Sequence, residues 1–104
     1  MPEAFIVREF EVDGKSVECR FFQPEEDEVD YVCRYEIDWP NKVVASKSFG
    51  VDQVQALLLA MQKAHVELLF ARVKNRQRVE WLEDENLGLP ISDAVQDWSP
   101  KNSY

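Results

Sequence analysis

Hydrophobic and polar residues alternate along the first part of the chain, as they do in strands that bury one face. Residues 4–12 (AFIVREFEV) are rich in β-branched and aromatic types, and Asp13-Gly14 is the dipeptide that a two-residue type I′ turn prefers. In the second arm, residues 16–23, one face collects three apolar residues: Val17, Cys19 and Phe21. The pattern predicts an antiparallel hairpin with one face in the core.

A proline and four consecutive carboxylates interrupt the alternation after this hairpin. Pro24 cannot donate a ladder hydrogen bond, and the residues at 25–28 (EEDE) repel one another unless they are solvated, so we predict a loop. Residues 29–38 (VDYVCRYEID) have the composition of a third strand. A turn over residues 39–42 and a fourth strand over residues 43–49 complete an antiparallel meander.

The apolar period changes to that of a helix after Gly50. Asp52 and Gln55 have the spacing at which two side chains cap a helix start, and no proline or glycine interrupts the run before Asn75. One apolar stripe recurs at helical spacing: Val54, Leu57, Leu58, Met61, Ala64, Leu68 and Leu69. We predict an α+β fold of order ββββα, with four or five antiparallel strands packed on one face by this helix and an extended C-terminal segment.

A second apolar stripe lies more than about 90° around the same helix. Its members are Leu59, Val66, Phe70 and Val73. One sheet cannot bury both stripes, so either the C-terminal segment or another molecule covers the second. The large apolar residues of that segment favour the first alternative: Trp81, Leu82, Leu87 and Leu89. A homodimer joined through Leu59, Val66 and Phe70 is the other.

The chain of 104 residues has the length of one domain. Residues 79–82 suit a short strand or a further helical turn, and residues 87–90 (LGLP) suit a loop whose leucines point inward. We predict a single domain over residues 1–91 and a polar tail over residues 92–104. Trp98 and Tyr104 are expected to be poorly held unless Trp98 docks on the body.

The charge is acidic and regional. The net charge is −8, and ten of the 20 acidic residues lie in the first thirty positions beside three basic ones. This field repels nucleic acid and anionic membranes and attracts basic proteins. No signal peptide or long apolar span is expected, so we predict a cytoplasmic protein. Cys19 and Cys33 are expected to be buried free thiols, with a strand-to-strand disulfide as the alternative.

Catalytic chemistry has little support in the sequence. The single histidine, His65, falls in the first apolar stripe and is expected in the core rather than in a reaction. The carboxylates of residues 25–30 and 80–85 lack the spacing of a calcium loop, and the three glycines stand alone. We therefore predict no catalytic residue, no metal site and no cofactor.

Residues 49–61 (FGVDQVQALLLAM), followed by Trp81-Leu82 and then by residues 87–90, resemble a group of small bacterial proteins of unknown function. Members of that group combine a G-V-D-x-x-Q-A-L helix start with a W-L…L-G-L-P tail. The resemblance implies a bacterial source and a shared fold, and it assigns no functional residue.

Small acidic proteins of this build also resemble the immunity proteins that neutralise secreted toxins. The leading hypothesis is a non-catalytic module of immunity or inhibitor type that binds a basic protein. The predicted partner-binding residues are Glu25, Glu26, Asp27, Glu28, Asp30, Tyr31 and Trp39. The homodimer described above is the alternative, and an enzyme acting through His65 is a third hypothesis.

Overall fold

The computed structural model describes residues 4–98, and it shows an antiparallel sheet packed with one long helix. The α+β prediction is confirmed. In chain order the elements are strands β1 (Ile6–Val12), β2 (Lys15–Phe21), β3 (Glu25–Glu26), β4 (Tyr31–Trp39) and β5 (Lys42–Gly50), helix α1 (Gln53–Val73), strand β6 (Val79–Glu80) and a 3-10 helix (Asp93–Trp98). Strand β6 pairs with β1 at one edge, and β5 pairs with β4 at the other.

The first hairpin forms as predicted. Asp13 and Gly14 have φ values of 52° and 80°, which fit a type I′ turn, and Val12 pairs with Lys15 on either side of it. The predicted inner face is fully or almost fully buried, and with Phe10 of β1 it forms the floor of the core.

The prediction of a loop over residues 25–28 is wrong for its first half. Glu25 and Glu26 pair with Val32 and Tyr31 as strand β3. Pro24 interrupts the ladder without ending it: Phe22 N still donates to Arg34 O at 2.9 Å, and pairing to β4 resumes after the proline. Strands β2 and β3 are therefore two halves of one interrupted strand beside β4.

The predicted start of α1 is confirmed. Asp52 is the N-cap, its Oδ1 accepts from Gln55 N at 2.8 Å, and Gln55 Oε1 accepts from Val51 N at 2.8 Å. Gly50 lets strand and helix meet closely, because a Cβ there would lie 2.4 Å from Ala56 N. The G-V-D-x-x-Q motif thus builds the turn from sheet to helix.

The face that α1 buries is only partly the predicted one. Ala64, Leu68 and Leu69 are buried as expected, but Val54 is 74% exposed and Leu58 is 40% exposed. The remaining buried apolar positions of the helix are alanines: Ala56, Ala60 and Ala71. Small alanine side chains let the helix lie close to the sheet. The apolar pattern does not reveal this buried face, because larger apolar residues occur on every side of the helix.

The C-terminal segment covers part of the second stripe. Val95 is buried, and the ring centroid of Trp98 lies 6.4 Å from that of Phe70. Leu87 and Leu89 are buried as predicted, whereas Leu82 is 77% exposed. The packed part of the chain therefore continues through the 3-10 helix, beyond the predicted boundary at residue 91. Tyr104 lies outside the described residues.

Helix α1 is also long and apolar enough, by length and composition alone, to cross a membrane. Such a helix was not expected from the sequence. Here it packs its alanine face against the sheet, and core helices of soluble proteins have the same composition, so this property does not indicate a location.

Candidate functional site

An acidic hairpin (residues 25–30) projects from one end of the sheet. Asp27 N donates to Asp30 O at 2.7 Å and closes a tight turn. The side chains of residues 25–28 are exposed, Asp30 is half-buried, and Val29 at the tip is 91% exposed. The ion pairs within the described residues involve Arg20 and Arg78, and none reaches these carboxylates. The hairpin therefore carries uncompensated negative charge.

The structure separates the predicted partner-binding residues into two places. Tyr31 is half-buried at the base of the acidic hairpin, where it begins β4. Trp39 ends the same nine-residue strand, which puts it roughly 26 Å away at a rise of about 3.3 Å per residue. Trp39 therefore does not share a patch with the hairpin.

Trp39 instead lines a cavity of about 620 Å³ between α1 and the β4–β5 turn. Val66 and Phe70, two residues of the predicted dimer interface, line the same cavity, together with Glu67. The third, Leu59, lines a smaller cavity of about 320 Å³ with Ser48 and Phe49. The fold thus combines residues that the sequence had assigned to two different interfaces.

Glu67 contributes a carboxylate to the lining of the larger cavity, and its hydrogen-bond partner is Tyr35. The Tyr35 hydroxyl donates to a Glu67 carboxylate oxygen, and the tyrosine itself is fully buried. Burial raises the pKa of Tyr35, and the hydrogen bond to Glu67 raises it further. Burial likewise raises the pKa of the nearby Cys19 thiol to about 12, with a further contribution from Glu67.

This pair was missed in the sequence, although a signal was present. Glu67 follows Ala64 by three positions and precedes Ala71 by four, so it lies on the same face as the buried alanines. Tyr35 alternates with Cys33 and Ile37 on the inner face of β4. A carboxylate on a core face needs a donor, and a buried tyrosine hydroxyl needs an acceptor.

The outer face of the sheet carries a second groove of about 750 Å³. Phe22 and Phe49 supply apolar surface, and the charged lining is mixed: Arg20, Arg34, Lys47, Lys63, Glu25 and Glu36. Arg20 offsets part of the acidic charge there, since it lies 2.9 Å from Glu18, 3.2 Å from Glu36 and 3.6 Å from Asp38. With four basic and two acidic lining residues, the groove has a small excess of positive charge although the chain as a whole is acidic.

Strand β5 forms the open edge of the sheet beside this groove. Arg34 O accepts from Phe22 N, so the backbone N–H and C=O of Arg34 point toward β2. The backbone N–H and C=O of its β5 partner, Lys47, therefore point away from β4, toward the open edge. Lys63 Nζ donates to Lys47 O at 3.1 Å. Lys63 of the helix therefore occupies a backbone carbonyl of β5 that an additional strand, pairing at this edge, would need as an acceptor.

His65 is a core residue, as predicted. It is 3% exposed, and its Nδ1 lies 3.0 Å from Pro90 O. Burial lowers its pKa, so the imidazole is neutral and Nδ1 donates to the carbonyl. Its Nε2 has no partner within the described residues. The ring fastens the C-terminal segment to the helix.

Two arginines, Arg8 and Arg72, also fasten this segment. Arg8 Nη1 donates to the carbonyls of Leu87 and Gly88 at 3.0 and 2.9 Å, and its guanidinium lies 3.7 Å from the centre of the Trp81 ring. Arg72 donates to Val79 O and to Glu85 O. The W-L…L-G-L-P motif is therefore a structural closure of the core.

The cysteines are buried free thiols, as predicted. Cys19 pairs with Ile37, four residues along β4 from Cys33. That offset corresponds to about 13 Å, well beyond the Cα separation of a disulfide, so the alternative of a strand-to-strand bridge is wrong. Within residues 4–98 no group of three potential ligands could hold a metal ion.

Comparison with known proteins identifies a family. The family described as Domain of unknown function (DUF6968) matches residues 6–91, which covers the sheet, α1 and the tail motif. No curated protein and no solved structure shows a significant match to the chain.

Proposed function

Because the chain belongs to the DUF6968 family, whose function is unknown, we propose a function from its own surface: a non-catalytic module of immunity or inhibitor type that binds a basic protein. The observation that carries the proposal is the acidic hairpin (residues 25–30). Its carboxylates have no ion-pair partner within the described residues, and an exposed valine stands among them. In this proposal the protein is bacterial and cytoplasmic.

Physical chemistry explains how such a hairpin would act. Several like charges on one projection raise the encounter rate with a basic surface, and the effect falls with ionic strength. Val29 at the tip and Tyr31 at the base supply apolar contact once the surfaces meet. The hairpin would then select a partner by charge and retain it by apolar burial.

The test is a charge reversal with a matched control. The pair Glu26→Lys and Glu28→Lys changes the net charge by the same amount as the pair Glu9→Lys and Glu11→Lys. All four glutamates are exposed, but the control pair lies on β1. Affinity purification from the source organism should recover a basic partner with the wild type and the β1 variant, and lose it with the hairpin variant. Equal recovery by both variants would show that the hairpin does not bind it.

A homodimer through the helix is the second candidate, and one observation favours it. Phe70 remains 48% exposed and Val73 40% exposed although the 3-10 helix covers part of that stripe. Leu59 and Val66 lie half-buried beside them. Light scattering should show a salt-insensitive dimer that Phe70→Glu dissociates, and a monomer at high concentration would rule this candidate out.

A further inference from the structure

We infer that the cavity between α1 and the β4–β5 turn is a binding site for a basic side chain, lysine or arginine, of a protein partner. This site lies at the opposite end of β4 from the acidic hairpin, and the inference does not require the hairpin to bind anything. Four observations carry it: a fixed carboxylate, its missing counter-ion, aromatic walls and a suitable volume.

The carboxylate of Glu67 is held in place before any ligand arrives. The hydroxyl that bonds it belongs to Tyr35, which is fully buried and cannot move without disturbing the core. Glu67 lies on the same cavity wall as Val66 and Phe70. A carboxylate that is already oriented loses little conformational entropy when it binds a cation.

Glu67 has no cationic partner within the described residues. The ion pairs of that part of the chain use Arg20 and Arg78, on other surfaces. A half-buried carboxylate that accepts one neutral hydrogen bond keeps further acceptor positions free. An ammonium or guanidinium group would fill them with charge-assisted hydrogen bonds.

The walls of the cavity suit the rest of such a side chain. Trp39 and Phe70 offer aromatic rings to a cation, while Val44 and Val66 offer apolar surface to an alkyl stem. A volume of about 620 Å³ lies within the range of ligand sites and is ample for one long side chain. An acidic side chain placed against Glu67 would be repelled by its charge.

Among residues 4–98, Lys42 is the one cation that lines the cavity, and it is exposed. Its charge opposes a basic ligand, so its removal should strengthen binding. Glu67→Gln, in contrast, keeps an acceptor for the Tyr35 hydroxyl and removes only the charge. The two substitutions are therefore predicted to act in opposite directions.

The experiment is a titration of the ¹⁵N-labelled chain, followed by the indole N–H signal of Trp39, which Trp39→Phe identifies. The probes are N-acetyl-lysine methylamide, its arginine counterpart and the norleucine compound, which has a comparable stem without charge. We expect millimolar binding of a basic probe, and binding roughly tenfold or more weaker for norleucine and for Glu67→Gln. Lys42→Ala should bind a basic probe more tightly.

Equal shifts by lysine, arginine and norleucine, or unchanged binding by Glu67→Gln, would overturn the inference. If Glu67→Gln does not fold, Trp39→Ala provides the same test through the amide signals of the cavity, and undiminished binding there would also overturn it. The hairpin variant Glu26→Lys with Glu28→Lys should bind the probes as the wild type does. Failure of the hairpin proposal and failure of this one are thus separate results.

Discussion

Gly88→Ala tests whether the closure of the core around Trp81 is as tight as the structure indicates. Gly88 has a φ of +67°, and a Cβ there would lie 2.5 Å from the Trp81 ring and 3.0 Å from Arg8 Nη1. The left-handed backbone alone costs about 1 kcal/mol for alanine, and overpacking adds about 1–3 kcal/mol. The ring cannot easily retreat, because Arg8 stacks on it and bonds the carbonyl of Gly88 itself. We expect a loss of roughly 2–4 kcal/mol in the free energy of unfolding.

Gly14→Ala is the matched control. Gly14 also has a positive φ, +80°, but a Cβ there would meet nothing within 4 Å. Its cost should be the backbone penalty alone, about 1 kcal/mol. Urea unfolding followed by tryptophan fluorescence gives both values, and near-ultraviolet circular dichroism should change only for Gly88→Ala. Equal destabilisation by the two variants would refute the contact between Trp81, Arg8 and Gly88.

Three further predictions concern strain, pH and the sheet edge. Leu82 and Glu83 form a turn with φ values of 53° and 65°, so Leu82→Asn or Glu83→Gly should raise the melting temperature, by an equivalent of about 1 kcal/mol each. Burial lowers the pKa of His65 below its ordinary 6.5, so as the pH falls the unfolded chain binds a proton at this histidine before the folded chain does. The free energy of unfolding should therefore decrease as the pH drops below about 6.5, and His65→Gln should weaken this pH dependence in urea titrations at pH 5 to 8. Lys63→Ala should free Lys47 O and promote concentration-dependent association in analytical ultracentrifugation, and a monomer at all concentrations would contradict its role as an edge guard.

The elements that the sequence predicts well are those that local chemistry determines. Asp13-Gly14 can hardly form anything but a tight hairpin turn, and Asp52 with Gln55 satisfies backbone amides within one helical turn. Alternation in β2 identifies its buried face correctly because neighbouring side chains of a strand point to opposite sides. None of these features depends on distant residues.

The features that the sequence did not predict depend on packing between elements. Strand β3 exists because β4 supplies partners for Glu25 and Glu26, which outweighs the repulsion in their run of charges. The buried face of α1 is set by how closely the helix approaches the sheet, so small Ala56 and Ala60 lie inside while Val54 stays exposed. Hydrophobicity alone ranks these residues in the opposite order.

The candidate sites divide in the same way. Adjacent carboxylates must be solvated because they repel one another, so an exposed acidic site at residues 25–30 could be proposed from the sequence. The cavity could not, since it joins Trp39 to Glu67 and Phe70 across the interface between sheet and helix. The carboxylate of Glu67 is in turn held by Tyr35, from a third place in the chain. Only the fold places a carboxylate, a hydroxyl and two aromatic rings together.

The structural role of the tail motif bears on where function can lie. Trp81, Leu87 and Gly88 close the core with Arg8, and Gly50 and Asp52 shape the start of the helix. Residues that the fold requires in this way cannot vary to suit different binding partners. Under the proposed function, a relative that keeps both motifs but lacks the carboxylates of residues 25–30 should fold in the same way and fail to bind the basic partner. If partner choice in the family instead followed changes within the motifs, the binding surface would have to be the closure itself.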